Sequence, residues 1–418
     1  MLMNNHLSIS KRTVAVLGAG LQGVLVALAL YRAGWQVEII DRAPAPLLGA
    51  SLRGEGKLHL GYVYGNEPSR ATAGLMVEGA LSFAEWIDRW VPKPIDWKAI
   101  TSESFLYAIL ADTMVTPEQL SEHYQWVDDA IEERFDQGET YAGMRTFSRS
   151  KELSSAHRAG FSGDVITVHS TSELAVDPLL LREELLAALR VEGITFHPNY
   201  VVKNVARNSQ GFAVEATNHE GGIHTWHTDT VVNCLWDGRL AIDATMGIQA
   251  ERTCLYRLKY AVNARLKVPP IHNITTTFAL GPYGDVVLRS DGRLYLSWYP
   301  ICLAGISNGL EPPATWLDML NAPETSEAKM NIATATVNAL AKRIPSLQDT
   351  QIESVNGGVI VAWGDSDIDH PSSELHRRHA IGVYDYDGYL SVDTGKLTTA
   401  PMFAARVADV LGSPQAWA

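Results

Sequence analysis

The chain has 418 residues, of which 46% are hydrophobic and 19% charged, enough to bury a substantial core and to divide into more than one lobe. Its formal net charge of −13 leaves no basic footprint for nucleic acid or an anionic membrane surface. Cys234, Cys254 and Cys302 form no CxxC pair and read as structural thiols, while a polar lead and a glycine-broken apolar run fit neither secretory signal nor membrane span, so a cytoplasmic protein is expected.

The first periodic segment, TVAVLGAGLQGVLVALALYRAGWQVEIIDR, predicts a buried strand at 13–17, a glycine turn, an amphipathic helix over about 21–33 and a second strand at 36–40. Gly18, Gly20 and Gly23 spell GxGxxG: the first permits the tight turn, the second lets a pyrophosphate approach the backbone, and the third lets helix pack on strand. Leu21 and Gln22 open the helix, whose free amides face the phosphates. Asp41 closes the second strand about twenty residues on, where a carboxylate accepts hydrogen bonds from a ribose diol, and Arg42 beside it joins the expected cofactor-binding set. Strand, turn, helix, strand and acid in this order predict dinucleotide binding.

Next comes GEGKLHLGYVYG, residues 54–65, with His59 between Leu58 and Leu60. Glycines at this density permit close approach of backbone to a ligand. The acidic run VDDAIEERFD reads as an exposed helix face. A helix is predicted from Pro178, capped by Asp177 and ending near Gly193, running into a short strand; Val202 just beyond is also placed at the cofactor. A hairpin pattern over 211–235 closes on an apolar strand at Val231 to Leu235. CLYRLKYAVNARL and DVVLRSDGRLYLSWYP are antiparallel-type strands, the latter pair turning at Ser290-Asp291-Gly292. Alternation sets Arg257 and Lys259 on one face of the first strand and Tyr256, Leu258 and Tyr260 on the other. Turned inward, that cationic face clamps a carboxylate or phosphate; turned outward, it is a solvated edge. Helical periodicity returns at 326–343, and the chain closes with a short strand, a tight turn at Gly395 and a C-terminal helix. Trp298 and Tyr299 read as core more readily than as pocket, and Arg377, Arg378 and His379 as a solvated turn more readily than as an anion anchor. Asp365, Asp367, Asp369 and His370 imitate a metal loop but lack its glycine and terminal glutamate, so no metal is assigned.

This order of elements resembles the D-amino-acid-oxidase-like (DAO) superfamily of FAD-dependent oxidoreductases. GEGKLHLGYVYGNEPSRATAGLMVEGA is similar to the Ser-Gly-x-x-His-x-Gly segment of its L-2-hydroxyglutarate oxidase and glycerol-3-phosphate dehydrogenase branches, and DTGKLTTAP to their Gly-Gly-Lys-x-Thr-Thr segment. Glu55 and Lys57 replace small residues of the first motif, and Asp393-Thr394 a glycine before the second. The resemblance implies an α/β fold: a Rossmann-type FAD-binding domain (11–95, 165–245 and 355–415) interleaved with a substrate-binding domain of antiparallel β-sheet and helices (96–164 and 246–354). It implies FAD as cofactor, with Gly49-Ala50-Ser51 at the pyrophosphate, Gly54 to Gly61, including Gly56, Lys57 and His59, along the isoalloxazine, and Gly395, Lys396, Leu397 and Thr398 beside its pyrimidine edge.

On that footing His59 is proton acceptor, flavin hydrogen-bond donor or covalent attachment point, and His59, Arg257 and Lys396 are the candidate catalytic residues. The expected reaction removes a hydride from a CH–OH or CH–NH carbon of a small polar molecule and passes the electrons to oxygen or another acceptor. A non-catalytic flavoprotein, an NAD(P)H-dependent reductase or monooxygenase, and an NAD-dependent Rossmann dehydrogenase are the alternatives.

Overall fold

The computed structural model describes residues 12–154 and 160–413. The polar N-terminal lead and the expected domain limits at 11 and 415 lie outside the described residues. β1 (Thr13–Leu17), α1 (Leu21–Arg32) and β2 (Gln36–Ile40) form the βαβ unit that the glycine motif predicts, with β1 and β2 parallel and in register from Thr13–Gln36 to Leu17–Ile40. Among the described residues this sheet has six strands, in the order Gly382–Tyr386, Tyr389–Asp393, Thr230–Asn233, β1, β2, Thr195–His197. All neighbours are parallel except the first pair, a hairpin.

α1 is not amphipathic as expected. Every residue from Leu21 to Leu30 is buried, because the helix is covered by the sheet and also by the helices Ala71–Trp90 and Ala400–Leu411. A helix enclosed on all sides is apolar all round. The C-terminal helix ends at Leu411, and the Trp35 indole ties the chain beyond it by donating to the Gly412 carbonyl at 2.9 Å.

The second large sheet has nine strands among the described residues and is mostly antiparallel, with Cys254–Leu266 paired along its length to Thr350–Trp363. Arg293–Trp298 and Gly284–Leu288 form the hairpin expected at Ser290-Asp291-Gly292, with Gly292 at φ +84°. Val165–Ser170 also belongs to this sheet; the expected division from 165 and from 355 had assigned it and much of Thr350–Trp363 to the cofactor portion. The predicted central helix is Pro178–Glu192, with Asp177 accepting from the Leu179 amide at 2.9 Å and Gly193 closing it at φ +66°. The acidic run lies on the helix Pro117–Asp136, but Asp128 is buried, accepting from the Tyr62 hydroxyl at 2.6 Å and from Ser150. That face is therefore only partly solvated. Among the described residues no helix is long and apolar enough to cross a membrane.

Candidate active site

A cavity of about 710 Å³ opens between the two sheets, lined at one end by the glycine turn and at the other by strands of the antiparallel sheet. Gly18 takes φ +95°, and a Cβ there would stand 2.7 Å from the Cys234 carbonyl. A Cβ on Gly23 would come within 1.8 Å of the Gly18 carbonyl oxygen, whereas one on Gly20 would meet only the Ser51 hydroxyl at 3.3 Å. Gly20 thus faces the cavity and Gly23 the turn beneath α1. The Leu21 amide donates to Ser51 Oγ at 2.8 Å, leaving the hydroxyl proton free to meet an anion. Asp41 is held by the Ala19 and Ala43 amides at 2.5 and 2.6 Å; a carboxylate has about four acceptor sites, so capacity remains for a diol. Gln22 donates from Nε2 to the Ala400 carbonyl, and its buried Oε1 has no partner among the described residues. Open amides, a small-residue turn, an acid and an orphaned acceptor together fit a dinucleotide. Arg42 pairs with Asp237 at 3.1 Å on the wall and Val202 lines it.

At the other end the two special motifs meet. The His59 amide donates to Thr398 Oγ1 at 2.9 Å, and Thr398 donates to the Lys57 carbonyl at 3.2 Å. Leu58 and Leu60 are fully buried behind His59, and Gly395 makes the predicted turn at φ +64°. Burial, with Lys396, Lys57 and Arg378 nearby, holds the His59 imidazole well below its ordinary pKa, so the ring is neutral near neutral pH. Its Nδ1 is buried without a hydrogen-bond partner among the described residues, 3.9 Å from Glu173.

Lys57 is buried, and its ammonium is held by Asp285 at 2.6 Å and by Thr277. Burial lowers its pKa, but Asp285, Glu173 and Glu55 outweigh that and raise it. Lys396 is in the opposite condition. Burial, then Arg378, lowers it to about 7, and among the described residues no carboxylate pairs with it. Arg378 is lowered to about 10 by burial and by Arg257.

The strand carrying Arg257 and Lys259 turns both toward the cavity, while Tyr256 and Leu258 are buried on the other side with Leu240 and Trp316. The solvated-edge alternative is excluded. Arg257, however, is already engaged: Nη1 donates to Asp367 at 3.2 Å and to the Tyr299 hydroxyl at 3.1 Å, and Tyr299 donates to Asp367 at 2.6 Å.

Of the residues singled out from sequence, Gly18, Gly20, Leu21, Gln22, Asp41, Arg42, Ser51, Gly56, Lys57, His59, Val202, Arg257, Gly395, Lys396 and Leu397 line the cavity. Gly23 and Thr398 stand behind it. The basic turn divides: Arg377 and His379 are exposed, but Arg378 lines the cavity. Trp298 packs against Phe278 and Tyr283 as core, whereas Tyr299 reaches the cavity. Sequence reasoning missed Tyr64, Glu173 and Asp285. The only signal for Glu173 was an acid beside an apolar run, and for Asp285 an acid opening a strand.

The sequence model of the DAO family, described as FAD dependent oxidoreductase, matches residues 13–410. The chain belongs to this family. This is a family of FAD-dependent oxidoreductases. The D-amino acid dehydrogenase of Sinorhizobium medicae is 49% identical over 49 residues, 12% of each chain, and the first curated relatives are matched over only 6% and 12% of their lengths. Among solved structures, the glycine oxidase of Geobacillus kaustophilus aligns over 96% of this chain and 95% of its own, with a TM-score of 0.66 at 14% identity. The L-alpha-glycerophosphate oxidase of Mycoplasma pneumoniae aligns over the same shares with a TM-score of 0.66 at 13% identity. At such identity these likenesses concern the fold of the DAO family member described here.

Proposed function

We propose that this enzyme oxidises a small polar substrate bearing an anionic group at a CH–OH or CH–NH carbon, and that oxygen or another acceptor receives the electrons. When bound, FAD supplies the two-electron acceptor for this reaction. Gly18, Gly20, Leu21, Gln22 and Ser51 would hold its pyrophosphate and Asp41 its ribose, with Arg42 and Val202 flanking the same end. Gly56, Lys57 and the Gly395-Lys396-Leu397-Thr398 turn would flank its ring.

What carries this reading is the convergence at one end of the cavity of the His59 imidazole, held well below its ordinary pKa, with Lys396 and Arg378, for which no carboxylate partner is present among the described residues. A neutral His59 accepts the proton of a substrate hydroxyl or ammonium. Lys396 and Arg378 favour a carboxylate, which orients the carbon to be oxidised. Arg257, engaged by Asp367, orders Tyr299 on the wall and is a weaker candidate for the anion. The Leu58 and Leu60 side chains behind His59 keep water from that side of the ring.

The test is anaerobic mixing of the flavin-loaded protein with hydroxy acids, amino acids and the matching neutral alcohols and amines, following loss of visible flavin absorbance. A carboxylate-bearing compound is expected to bleach the flavin, and His59→Ala to slow this at least about 100-fold with flavin content retained. Faster bleaching by the neutral analogues, or by NAD(P)H, would overturn the proposal.

A further inference from the structure

We propose that Glu173 is a positioning residue for His59: its carboxylate acts as acceptor toward Nδ1–H of the imidazole and so keeps the proton on Nδ1, leaving Nε2 as the unprotonated nitrogen open to the cavity. This deepens the reading of His59 as proton acceptor and rests on it. Glu173 is fully buried and lies just before the short strand Leu174–Ala175, which pairs with β3 (Lys57–Leu58) next to the histidine. The Leu60 amide donates to Oε2 at 2.6 Å and the Tyr107 hydroxyl to Oε1 at 2.5 Å. Two donors fix the carboxylate in place and favour its ionised form. Burial is the larger influence and leaves the Glu173 pKa raised from its ordinary value, opposed first by Lys57 and then by these two bonds.

The Oε1 atom that takes the tyrosine proton also stands 3.9 Å from His59 Nδ1, and that buried nitrogen has no other partner among the described residues. A separation of 3.9 Å is beyond a hydrogen bond, but contacts of this kind tighten when the reacting complex forms. The two tautomers are not equivalent here. With the proton on Nε2, a lone pair on Nδ1 faces a carboxylate oxygen, acceptor against acceptor. With the proton on Nδ1, a donor faces it and the second nitrogen is a free base. Lys57, Lys396 and Arg378 all act on the ring to disfavour a second proton, and Glu173, at 3.9 Å, is a buried carboxylate close enough to draw toward Nδ1–H when one arrives.

Glu173→Gln discriminates between a positioning and a merely structural role. The Leu60 amide requires an oxygen at the Oε2 position, which turns the new NH₂ group toward Tyr107 and His59. That group donates to Nδ1 and forces the proton onto Nε2. The measurement is long-range ¹H–¹⁵N NMR correlation on flavin-loaded protein with ¹⁵N-labelled histidine, with His59 identified by its absence from His59→Ala. Wild type is expected to show the Nδ1–H tautomer, Glu173→Gln the Nε2–H tautomer, and Glu173→Asp the wild-type form. In single-turnover flavin reduction Glu173→Gln is expected to lose at least about tenfold in rate while substrate affinity stays within about twofold. An Nε2–H tautomer in wild type overturns the proposal, even if Glu173→Gln does not fold. So does a folded Glu173→Gln that keeps both wild-type tautomer and rate. Wild-type flavin reduction by His59→Ala would instead refute the role of His59 as base, while the tautomer still decides the Glu173 contact.

Discussion

Lys396 and Arg257 line one cavity and differ in what compensates their charge. Arg257 has Asp367 within 3.2 Å, whereas burial and Arg378 lower Lys396 from an ordinary 10.5 to about 7. A lysine depressed in this way makes anion binding pH-dependent with a definite sign. A carboxylate beside it restores its pKa upward, so binding above about pH 7 takes up a proton. Affinity for an unreactive carboxylate such as acetate or benzoate is therefore expected to be level below about pH 7 and to weaken above it, by up to about tenfold per pH unit. Titration of the flavin spectrum between pH 6 and 9 measures this, and Lys396→Met should bind more weakly with a flat profile. A flat profile in wild type would assign the anion to Arg378 alone. The same linkage acts on stability: between about 7 and the ordinary 10.5 the unfolded chain binds the proton and the folded one does not, so the anion-free protein gains stability as pH rises through that window.

The strand–turn–helix at the N-terminus offers a cleaner test of what each glycine does. Because a Cβ on Gly23 would lie 1.8 Å from the Gly18 carbonyl oxygen, Gly23→Ala must push α1 off β1, with an expected loss of about 1–3 kcal/mol in urea unfolding. Gly20→Ala meets only the movable Ser51 hydroxyl at 3.3 Å, so stability should hold within about 0.5 kcal/mol while FAD retention on dilution falls. Equal stability losses would mean that both glycines serve packing alone. This element was legible in sequence because its signals are local: apolar period, glycine positions and the acid after β2. The strand Thr350–Trp363 was not. Half its positions are only partly buried, and Gly357 and Gly358 sit at its middle, which blurs the alternation. Yet Gly357 is required there, since a Cβ would meet the Lys259 carbonyl oxygen at 2.7 Å. Arg378 was ranked as solvated turn above anion anchor for a related reason: a basic turn looks solvated until the chain around it is folded, and alternate residues then face opposite ways.

At the scale of the molecule, pairings between distant segments decide the site, and these leave no local trace. Lys57 drew notice through its glycine-rich surroundings, but its ammonium partner is Asp285, 228 residues away on the antiparallel sheet. The pair fastens β3, beside the expected flavin ring, to the sheet that forms the opposite wall. Its side chains are 2% and 15% exposed, so each charge is poorly hydrated if the other is removed. Asp285→Asn should therefore cost about 3–5 kcal/mol in urea unfolding, because the Lys57 ammonium stays buried with Thr277 as its remaining close partner. Adding Lys57→Met removes that stranded charge and should recover part of the loss, since replacing both members of a buried pair costs less than breaking it. Stability returning without flavin retention would show that the pair aligns the two walls of the cavity, whereas Asp285→Asn unfolding within about 0.5 kcal/mol of wild type would mean that water reaches Lys57 and that other contacts hold the sheets in place.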